Sequence, residues 1–268
     1  MKKIFGIILL TFLFNCSNDD AIVADKTFEG DVTLTTQREV DDFGDKNITH
    51  INGILTIGGN VLETTDILEL KKLENLKSAL SIYITYNNEL RNLNGLGNIT
   101  ASGQIIISNN PALVSLKGLE KISEAAVISI RHNVALINLE GLNGIVNLSS
   151  SLNVVDNYNL KSLNGLTALK STKWLHVVGN AIENLNGLES LEEVENFFIE
   201  RNNSCLNLNG LSSLTSIKGE LVIIGNIALS NFCGLKLGFM SNYNGEYLVN
   251  DNAYNPTLQN LKDEDCKL

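Results

Sequence analysis

The 268-residue sequence has only two prolines, one tryptophan and three histidines, and its acidic residues outnumber its basic ones. The scarcity of proline excludes collagen-like and proline-rich architectures. Twenty Lys and Arg against thirty Asp and Glu give a net charge of −10. Nucleic-acid binding needs a basic face, so we expect no nucleic-acid partner. A hydrophobic content of 44% is that of a folded chain and excludes wholesale disorder.

The sequence also lacks the short motifs that mark common enzymes. It has no GxSxG nucleophile motif, no HExxH zinc motif, no P-loop and no Rossmann glycine fingerprint. Its cysteines and histidines form none of the CxxC or HxxxH pairs that zinc sites usually show. We therefore predict a protein that is not an enzyme and that binds no metal and no cofactor.

The N-terminus has the features of an export signal. Lys2 and Lys3 precede eleven uncharged, mostly apolar residues at 4–14, a signal-peptide core too short to span a bilayer. The next residues, Leu-Phe-Asn-Cys at 13–16, resemble a bacterial lipobox, in which Cys16 becomes the lipidated first residue. We predict a signal peptide at 1–15, then a lipidated flexible tether at 16–27. An ordinary secretory leader with an incidental cysteine is the alternative.

A short acidic run, Ser-Asn-Asp-Asp at 17–20, follows Cys16. It resembles the surface-export signal of flavobacterial lipoproteins, which implies an outer-membrane lipoprotein exposed at the cell surface. A soluble acidic spacer explains the run equally well, and the protein then faces the periplasm. No later segment approaches 18 consecutive apolar residues, so the lipid is the only predicted membrane anchor.

Two interlocked markers repeat along most of the chain. One is a Gly-Leu pair, found seven times between residues 95 and 235. The other is an apolar-x-Ile/Val-x-x-Asn unit, which recurs every 22 to 24 residues from the second copy onward. Its asparagines are Asn60, Asn87, Asn110, Asn133, Asn157, Asn180, Asn202 and Asn226. Degenerate copies at 32–37 and at 247–252, the latter ending in Asn252, bring the count to ten coils with the outer two as caps. The longer first interval predicts an inserted loop at 61–66.

The unit explains how the coils stack. Its two apolar positions lie two residues apart, so they point to the same side of a strand and face the core. One coil cannot bury these side chains alone, and parallel stacking at ~4.8 Å per coil gives a solenoid about 43 Å long. The solenoid domain is predicted over 28–268, with its C-terminal cap at about 233–268. Each asparagine is expected to turn inward and to satisfy backbone groups of its own and neighbouring coils.

The consensus Leu-x-Ile-x-x-Asn-x-x-Leu-x-x-Leu-x-Gly-Leu resembles the leucine-rich repeat and, more closely, the receptor L-domain. The resemblance implies an all-β-rich repeat fold, a right-handed parallel β-solenoid. Lipoproteins with such repeats are common in Bacteroidetes. These solenoids serve mainly as binding surfaces, which implies an extracellular or envelope protein or a glycan as partner.

Three cysteines remain besides Cys16, and an exported chain folds in an oxidising compartment. One disulfide and one remaining thiol are expected. Residues 252–257, which lead to Cys266, resemble the closing element of these lipoproteins, and this implies a Cys233–Cys266 bridge. Spacing alone leaves a Cys205–Cys233 bridge as the rival.

The residues four, two and one positions before each asparagine are predicted to lie on the outward side of the sheet. Exposed aromatic and aliphatic residues beside charged ones are typical of a recognition patch, although outward Val, Ile and Thr are also simply good strand formers. The candidate ligand-binding residues are Tyr83, Tyr86, Arg131, His132, Asp156, His176, Phe198 and Arg201. His132 and Asp156 occupy equivalent positions in neighbouring coils, where they can form a weak surface ion pair.

These patterns predict a noncatalytic cell-surface lipoprotein that uses the outward side of its sheet for adhesion or recognition. One alternative is a structural envelope repeat protein without a specific ligand. A polysaccharide-acting enzyme is the other, since a solenoid can carry acid/base carboxylates in a surface groove.

Overall fold

The computed structural model describes residues 25–63, 65–235 and 243–268, together with the backbone of a short strand at 8–10. The rest of the predicted signal peptide lies outside the described residues. The same holds for Cys16 and most of the tether.

Among the described residues, thirteen strands form one sheet. The strands are β1 (Ile8–Leu10), β2 (Lys26–Glu29), β3 (Val32–Leu34), β4 (His50–Gly58), β5 (Ser78–Thr85), β6 (Ala101–Ser108), β7 (Glu124–Arg131), β8 (Asn147–Val155), β9 (Ser171–Val178), β10 (Glu193–Glu200), β11 (Ser216–Ile217), β12 (Leu221–Ile224) and β13 (Tyr247–Asn250). Two helices, α1 (Gln37–Gly44) and α2 (Leu258–Lys262), and a 3₁₀ turn at Lys71–Leu73 accompany them.

From β2 to β13 the neighbouring strands pair in parallel, and strands adjacent in sequence are adjacent in space. We call the strand that one coil adds to the sheet a rung. Both β2 and β3 pair with β4, and both β11 and β12 pair with β10, so each of these two pairs of short strands forms one interrupted rung. The described sheet therefore has ten rungs joined by nine turns. The predicted parallel β-solenoid is confirmed. Strand β1 pairs antiparallel with β2.

The interior of the solenoid is one continuous apolar cluster. Each rung except the last contributes two fully buried residues, as Ile128 and Ile130 do in β7, whereas Tyr247 and Val249 of β13 are partly buried. From Asn87 to Asn226, each asparagine is followed by buried apolar residues, mostly leucines, at intervals of about three, because backbone bonds between residues three apart turn the chain. Examples are the bonds from Leu113 N to Asn110 O and from Leu96 N to Leu93 O, both 3.1 Å long. Stacking buries this set, which a single coil would leave in water.

The glycine of each Gly-Leu pair is required by close contact between coils. Gly118 has a φ of 112°, and a Cβ there would lie 1.9 Å from the carbonyl oxygen of Leu93 in the preceding coil. Gly141 has the same relation to the carbonyl of Leu116. The Gly-Leu marker of the repeat therefore coincides with close backbone contact between stacked coils.

The repeated asparagines form a buried hydrogen-bonded ladder. The backbone N–H of Asn133 donates to Oδ1 of Asn157 at 3.0 Å, and its Nδ2 donates to the carbonyls of Ile107 and Arg131 at 2.9 and 3.0 Å. Its Oδ1 accepts from the N–H and the Nδ2 of Asn110, at 3.2 and 3.0 Å. The pattern continues without a break from Asn87 to Asn252. Every step joins one coil to the next.

Asn60 was expected in this ladder, and that expectation is wrong. Its side chain is exposed, and its Nδ2 donates to the carboxylate of Glu63 at 3.0 Å. The inserted loop after Asn60 carries the chain outward, and the side chain of Thr65 occupies the position in the ladder that was expected for Asn60. Its Oγ1 donates to Oδ1 of Asn87 at 3.2 Å.

Each end of the stack is closed by a helix. Helix α1 begins with a capping box between Thr36 and Glu39 and buries Val40 and Phe43. The tether was predicted to extend to residue 27, but β2 begins at Lys26, because Thr27 already pairs with the next rung. No helix in the described parts of the chain is long and apolar enough to cross a membrane.

At the C-terminal end, α2 packs through the fully buried Leu261. Cys233 and Cys266 are joined by a disulfide, as the resemblance implied. Cys205 is a buried thiol rather than a partner of Cys233, and burial raises its pKa to about 12. The thiol of Cys205 is therefore protonated and unreactive at neutral pH.

We predict that Gly118→Ala lowers the free energy of unfolding by more than about 2 kcal/mol. A left-handed backbone costs a non-glycine residue roughly 1–2 kcal/mol, and the contact with the Leu93 carbonyl adds to this. Gly97→Ala is the matched control, because Gly97 has open space around its Cβ position and no positive φ. Urea unfolding followed by circular dichroism measures both. Equal effects of the two substitutions would contradict the contact between coils.

Asn133→Ala is expected to lower the free energy of unfolding by about 1–3 kcal/mol, because it leaves the buried N–H of Asn110 and the carbonyl of Ile107 without their partners. Asn60→Ala is the control from the same repeat position, and we expect it to change stability by less than about 0.5 kcal/mol. Thermal melting of the two variants compares them directly. If the asparagine ladder does not stabilise the fold, the melting curves of the two variants will coincide.

Candidate functional site

Three aromatic side chains meet on the outward side of β9 and β10. We call Trp174, His176 and Phe198 the aromatic cluster. The ring centroids of His176 and Phe198 lie 4.6 Å apart, and those of Trp174 and Phe198 lie 5.9 Å apart with nearly parallel planes. Trp174 is 39% exposed, and the other two are half-buried. The cluster is the largest group of aromatic side chains on this face of the described residues.

Strand periodicity and parallel register assemble the cluster. Trp174 and His176 are two residues apart in β9 and so share the outward side, while Leu175 and Val177 face the core. The register then places Phe198 of β10 directly beside His176.

A hydrogen bond to Asn153 of β8 determines which ring nitrogen of His176 carries the proton. It lies on the other side of His176 in the register, and its Oδ1 is 2.8 Å from His176 Nδ1. Nδ2 of Asn153 donates to Ser151 Oγ at 3.0 Å, which holds the amide in this orientation. Since an amide oxygen can only accept, Nδ1 carries the proton and Nε2 offers a lone pair. Burial and the nearby positive charge of Arg131 lower the pKa of His176, so the ring is neutral at neutral pH.

The residue before each ladder asparagine has a left-handed backbone. These residues, which we call the left-handed row, are Tyr86, Asn109, His132, Asp156, Gly179, Arg201, Gly225 and Asp251, with φ between 50° and 70°. Glycine, asparagine and aspartate are the residues that this conformation favours, and a bulky side chain there is strained. Tyr86 and Arg201 are the least suited members of the row. Strain of this kind is concentrated at functional sites.

Part of the left-handed row surrounds a polar cleft at the ends of β8, β9 and β10. The cleft has a volume of about 340 Å³ and is lined by Asp156, Tyr158, Gly179, Asn180, Arg201 and Asn203. On its outer side, His132 Nδ1 lies 4.0 Å from the carboxylate of Asp156. This pair is partly exposed, so it contributes at most ~1 kcal/mol.

The structure brings six of the eight predicted binding residues to two neighbouring places and leaves two apart. His176 and Phe198 belong to the aromatic cluster, and Asp156 and Arg201 line the polar cleft, with Arg131 at the end of β7 and His132 directly after it close by. Tyr83 and Tyr86, by contrast, lie on or directly after β5, five rungs and roughly 24 Å from β10. Tyr83 Oη instead donates to the side chain of Gln104 at 3.3 Å. The two tyrosines are not part of either group.

Sequence reasoning missed Trp174, Asn153 and Tyr158 as site residues. Trp174 was detectable, because it precedes the outward His176 by two positions in the same strand and is the only tryptophan in the chain. Asn153 stood in the predicted outward column but looked like an ordinary polar strand residue. Tyr158 follows the ladder asparagine, outside all the outward positions considered, and no pattern pointed to it.

A separate trough of about 970 Å³ crosses the N-terminal halves of β4 to β9. Small side chains line most of it, such as Ser78, Ala101, Gly103 and Ala126. It is also lined by larger polar side chains, such as His50, Asn52, Glu124 and Asn147. In the portions of the chain that the structure describes, no group of three or more His, Cys, Asp or Glu residues is arranged to hold a metal ion.

No family model, curated protein or solved structure matches this chain. On the outward sheet face, β9 leads from Trp174 of the aromatic cluster to Val178, directly before Gly179 of the polar cleft, so five residues, about 16 Å, separate Trp174 from the cleft. We call the surface of β8 to β10 that carries the aromatic cluster and the polar cleft the binding face.

Proposed function

We propose that this protein is a noncatalytic cell-surface lipoprotein whose binding face recognises a protein or glycan partner. The observation that carries the proposal is the partly exposed aromatic cluster of Trp174, His176 and Phe198 on the outward side of the sheet. Aromatic residues dominate the energetics of binding surfaces because they bury a large apolar area with few rotatable bonds.

The aromatic cluster contributes nothing to the core. On the inward side of the same strands, Leu175, Val177, Phe197 and Ile199 are fully buried and complete the packing by themselves. The outward rings retain exposed surface, and a partner would gain stability by covering it. Charged residues at its edge, among them Arg131 and Asp156, match the polar rim that surrounds an apolar interface centre.

A structural envelope protein without a ligand would keep the same rings for a different reason. Aromatic pairs across neighbouring strands stabilise a sheet by about 0.5–1.5 kcal/mol. On that alternative, loss of the rings lowers stability and has no other consequence. The two functions therefore differ in what the rings do for binding.

Cys16 is proposed as the attachment point. The N-terminal leader and the lipobox-like segment support lipidation, and two or more acyl chains hold a protein stably on a membrane where one does not. The acidic run at 17–20 supports exposure at the outer surface of the outer membrane. On this proposal, the tether between Cys16 and the start of β2 at Lys26 separates the solenoid from the lipid layer.

We predict that the purified mature protein, in detergent, binds members of arrays of glycans and extracellular proteins. The double substitution Trp174→Ser with Phe198→Ser should weaken that binding at least about 10-fold, as the loss of hot-spot aromatics does. Ile137→Ser is the matched control, since Ile137 is 53% exposed and lies outside the sheet. Circular dichroism checks that all variants remain folded. Unchanged binding by the double variant, or no binding by the wild-type protein to any array member, favours the structural alternative.

Lipid attachment and orientation are tested by protease treatment of intact cells. We expect the solenoid to be digested while a periplasmic marker survives, and mass spectrometry should find the N-terminal peptide starting at an acylated Cys16. A Cys16→Ala variant should be released from the membrane fraction. Protection of the solenoid in intact cells would place it in the periplasm and contradict a role in adhesion.

A further inference from the structure

The polar cleft exists because one member of the left-handed row lacks a side chain. Gly179 lies between Asp156 of the preceding coil and Arg201 of the following coil. A Cβ at Gly179 would lie 2.2 Å from Asp156 Oδ1, so the carboxylate reaches across the glycine. A side chain at this position would fill the opening. The result is a small cavity that Asp156 of the preceding coil and Arg201 of the following coil both line.

Arg201 borders the cleft, and its position in the left-handed row has a cost to the backbone. Its φ is 50°, in the conformation that glycine, asparagine and aspartate favour. The next member of the row is Gly225, so no neighbouring side chain covers the guanidinium from that side. Within the described residues, the Arg201 side chain has no salt bridge and no hydrogen bond. A strained, exposed and unpaired arginine beside a cavity points to a ligand rather than to stability.

The lining of the cleft defines the chemistry of that ligand. An arginine guanidinium pairs with a carboxylate through two parallel hydrogen bonds. The Asp156 carboxylate and the Asn203 amide suit hydroxyl groups, and the ring of Tyr158, which is 60% exposed, offers an apolar surface. A volume of about 340 Å³ is at the lower end of the range for small-ligand sites. A sugar with one carboxylate, several hydroxyls and an apolar ring face satisfies all of these groups.

An acidic peptide side chain fits the same cleft less well. It would pair with Arg201 but, unlike a sugar, its side chain has no hydroxyl that could donate to the Asp156 carboxylate. A glycan with a sugar ring that bears one carboxylate and several hydroxyls serves Arg201 and Asp156 together. It can extend along β9 from the cleft to Trp174.

We infer that the polar cleft binds a carboxylate-bearing sugar residue of a glycan, with Arg201 on the carboxylate and Asp156 and Asn203 on the hydroxyls. This inference rests on the proposed function, because it names the ligand class of the same binding face. The aromatic cluster then contacts the neighbouring part of the glycan.

The test is calorimetric titration of the purified mature protein with trigalacturonate and with the matching neutral galactose trisaccharide. We expect trigalacturonate to bind and the neutral sugar to bind at least 10-fold more weakly. Arg201→Asn should weaken trigalacturonate binding at least 10-fold and raise the melting temperature, because asparagine tolerates the left-handed backbone. Arg201→Lys should bind between these limits, since lysine keeps the charge but loses the paired geometry. Arg91→Asn, at an exposed arginine with an ordinary backbone, is the control and should behave as wild type.

The results separate this inference from the proposed function. Absence of trigalacturonate binding, equal affinity for the neutral sugar, or no effect of Arg201→Asn overturns the inference. If array binding that depends on Trp174 and Phe198 persists in that case, the proposed function stands without it. Binding of pentaglutamate that depends on Arg201 and exceeds that of trigalacturonate would identify an acidic protein segment as the ligand and would also overturn the inference. Absence of binding in both assays removes the inference and the proposed function together.

Discussion

The buried asparagine at the end of each strand is the interaction on which the rest of this solenoid depends. Its side chain satisfies backbone groups of its own coil and of the preceding coil, and its own backbone N–H donates to the next asparagine, as the bonds of Asn133 show. An asparagine can reach inward there only if the chain turns sharply, and the residue before it takes up that turn in a left-handed conformation. The same turn directs the preceding side chain outward. The ladder that stabilises the interior therefore also creates, once per coil, a fixed outward position at the edge of the sheet.

Much of the fold followed from the period of the sequence, because every coil must solve the same packing problem. The ten rungs, the inward asparagines and the glycine contacts all repeat with the markers. The errors lie where the repeat is interrupted. Asn60 keeps the sequence marker, but the loop after it draws the backbone away, and Thr65 supplies the missing donor. Helix α1 was missed because Gln37 sits where a degenerate copy predicts a ladder residue, although Thr36 and Glu39 already formed a capping box.

The site was less predictable than the fold. The repeat shows which residues occupy equivalent positions in their coils, but not which of them lie close together. Tyr83 and Phe198 occupy equivalent positions, yet five rungs separate them. Contacts between neighbouring coils decide which members act together. The rings of His176 and Phe198 lie close because they are one rung apart, and Asp156 and Arg201 line the same cleft on either side of Gly179. Trp174 depends on a second periodicity, the alternation along the strand, which has to be combined with the first to find the aromatic cluster.

The repeat architecture also explains how a strained arginine is tolerated. In a solenoid, stability is close to a sum of contributions from each coil and its contacts with neighbours, so a local cost in one coil is offset by the adjacent ones. Arg201 lies between coils that have glycine in the left-handed row and intact ladder bonds, with Asn202 joined to both Asn180 and Asn226. At a free terminal coil the same strain would fray the stack. The interior position of Arg201, two rungs from the disulfide-closed C-terminal cap, is therefore what allows a poorly suited residue to keep its place.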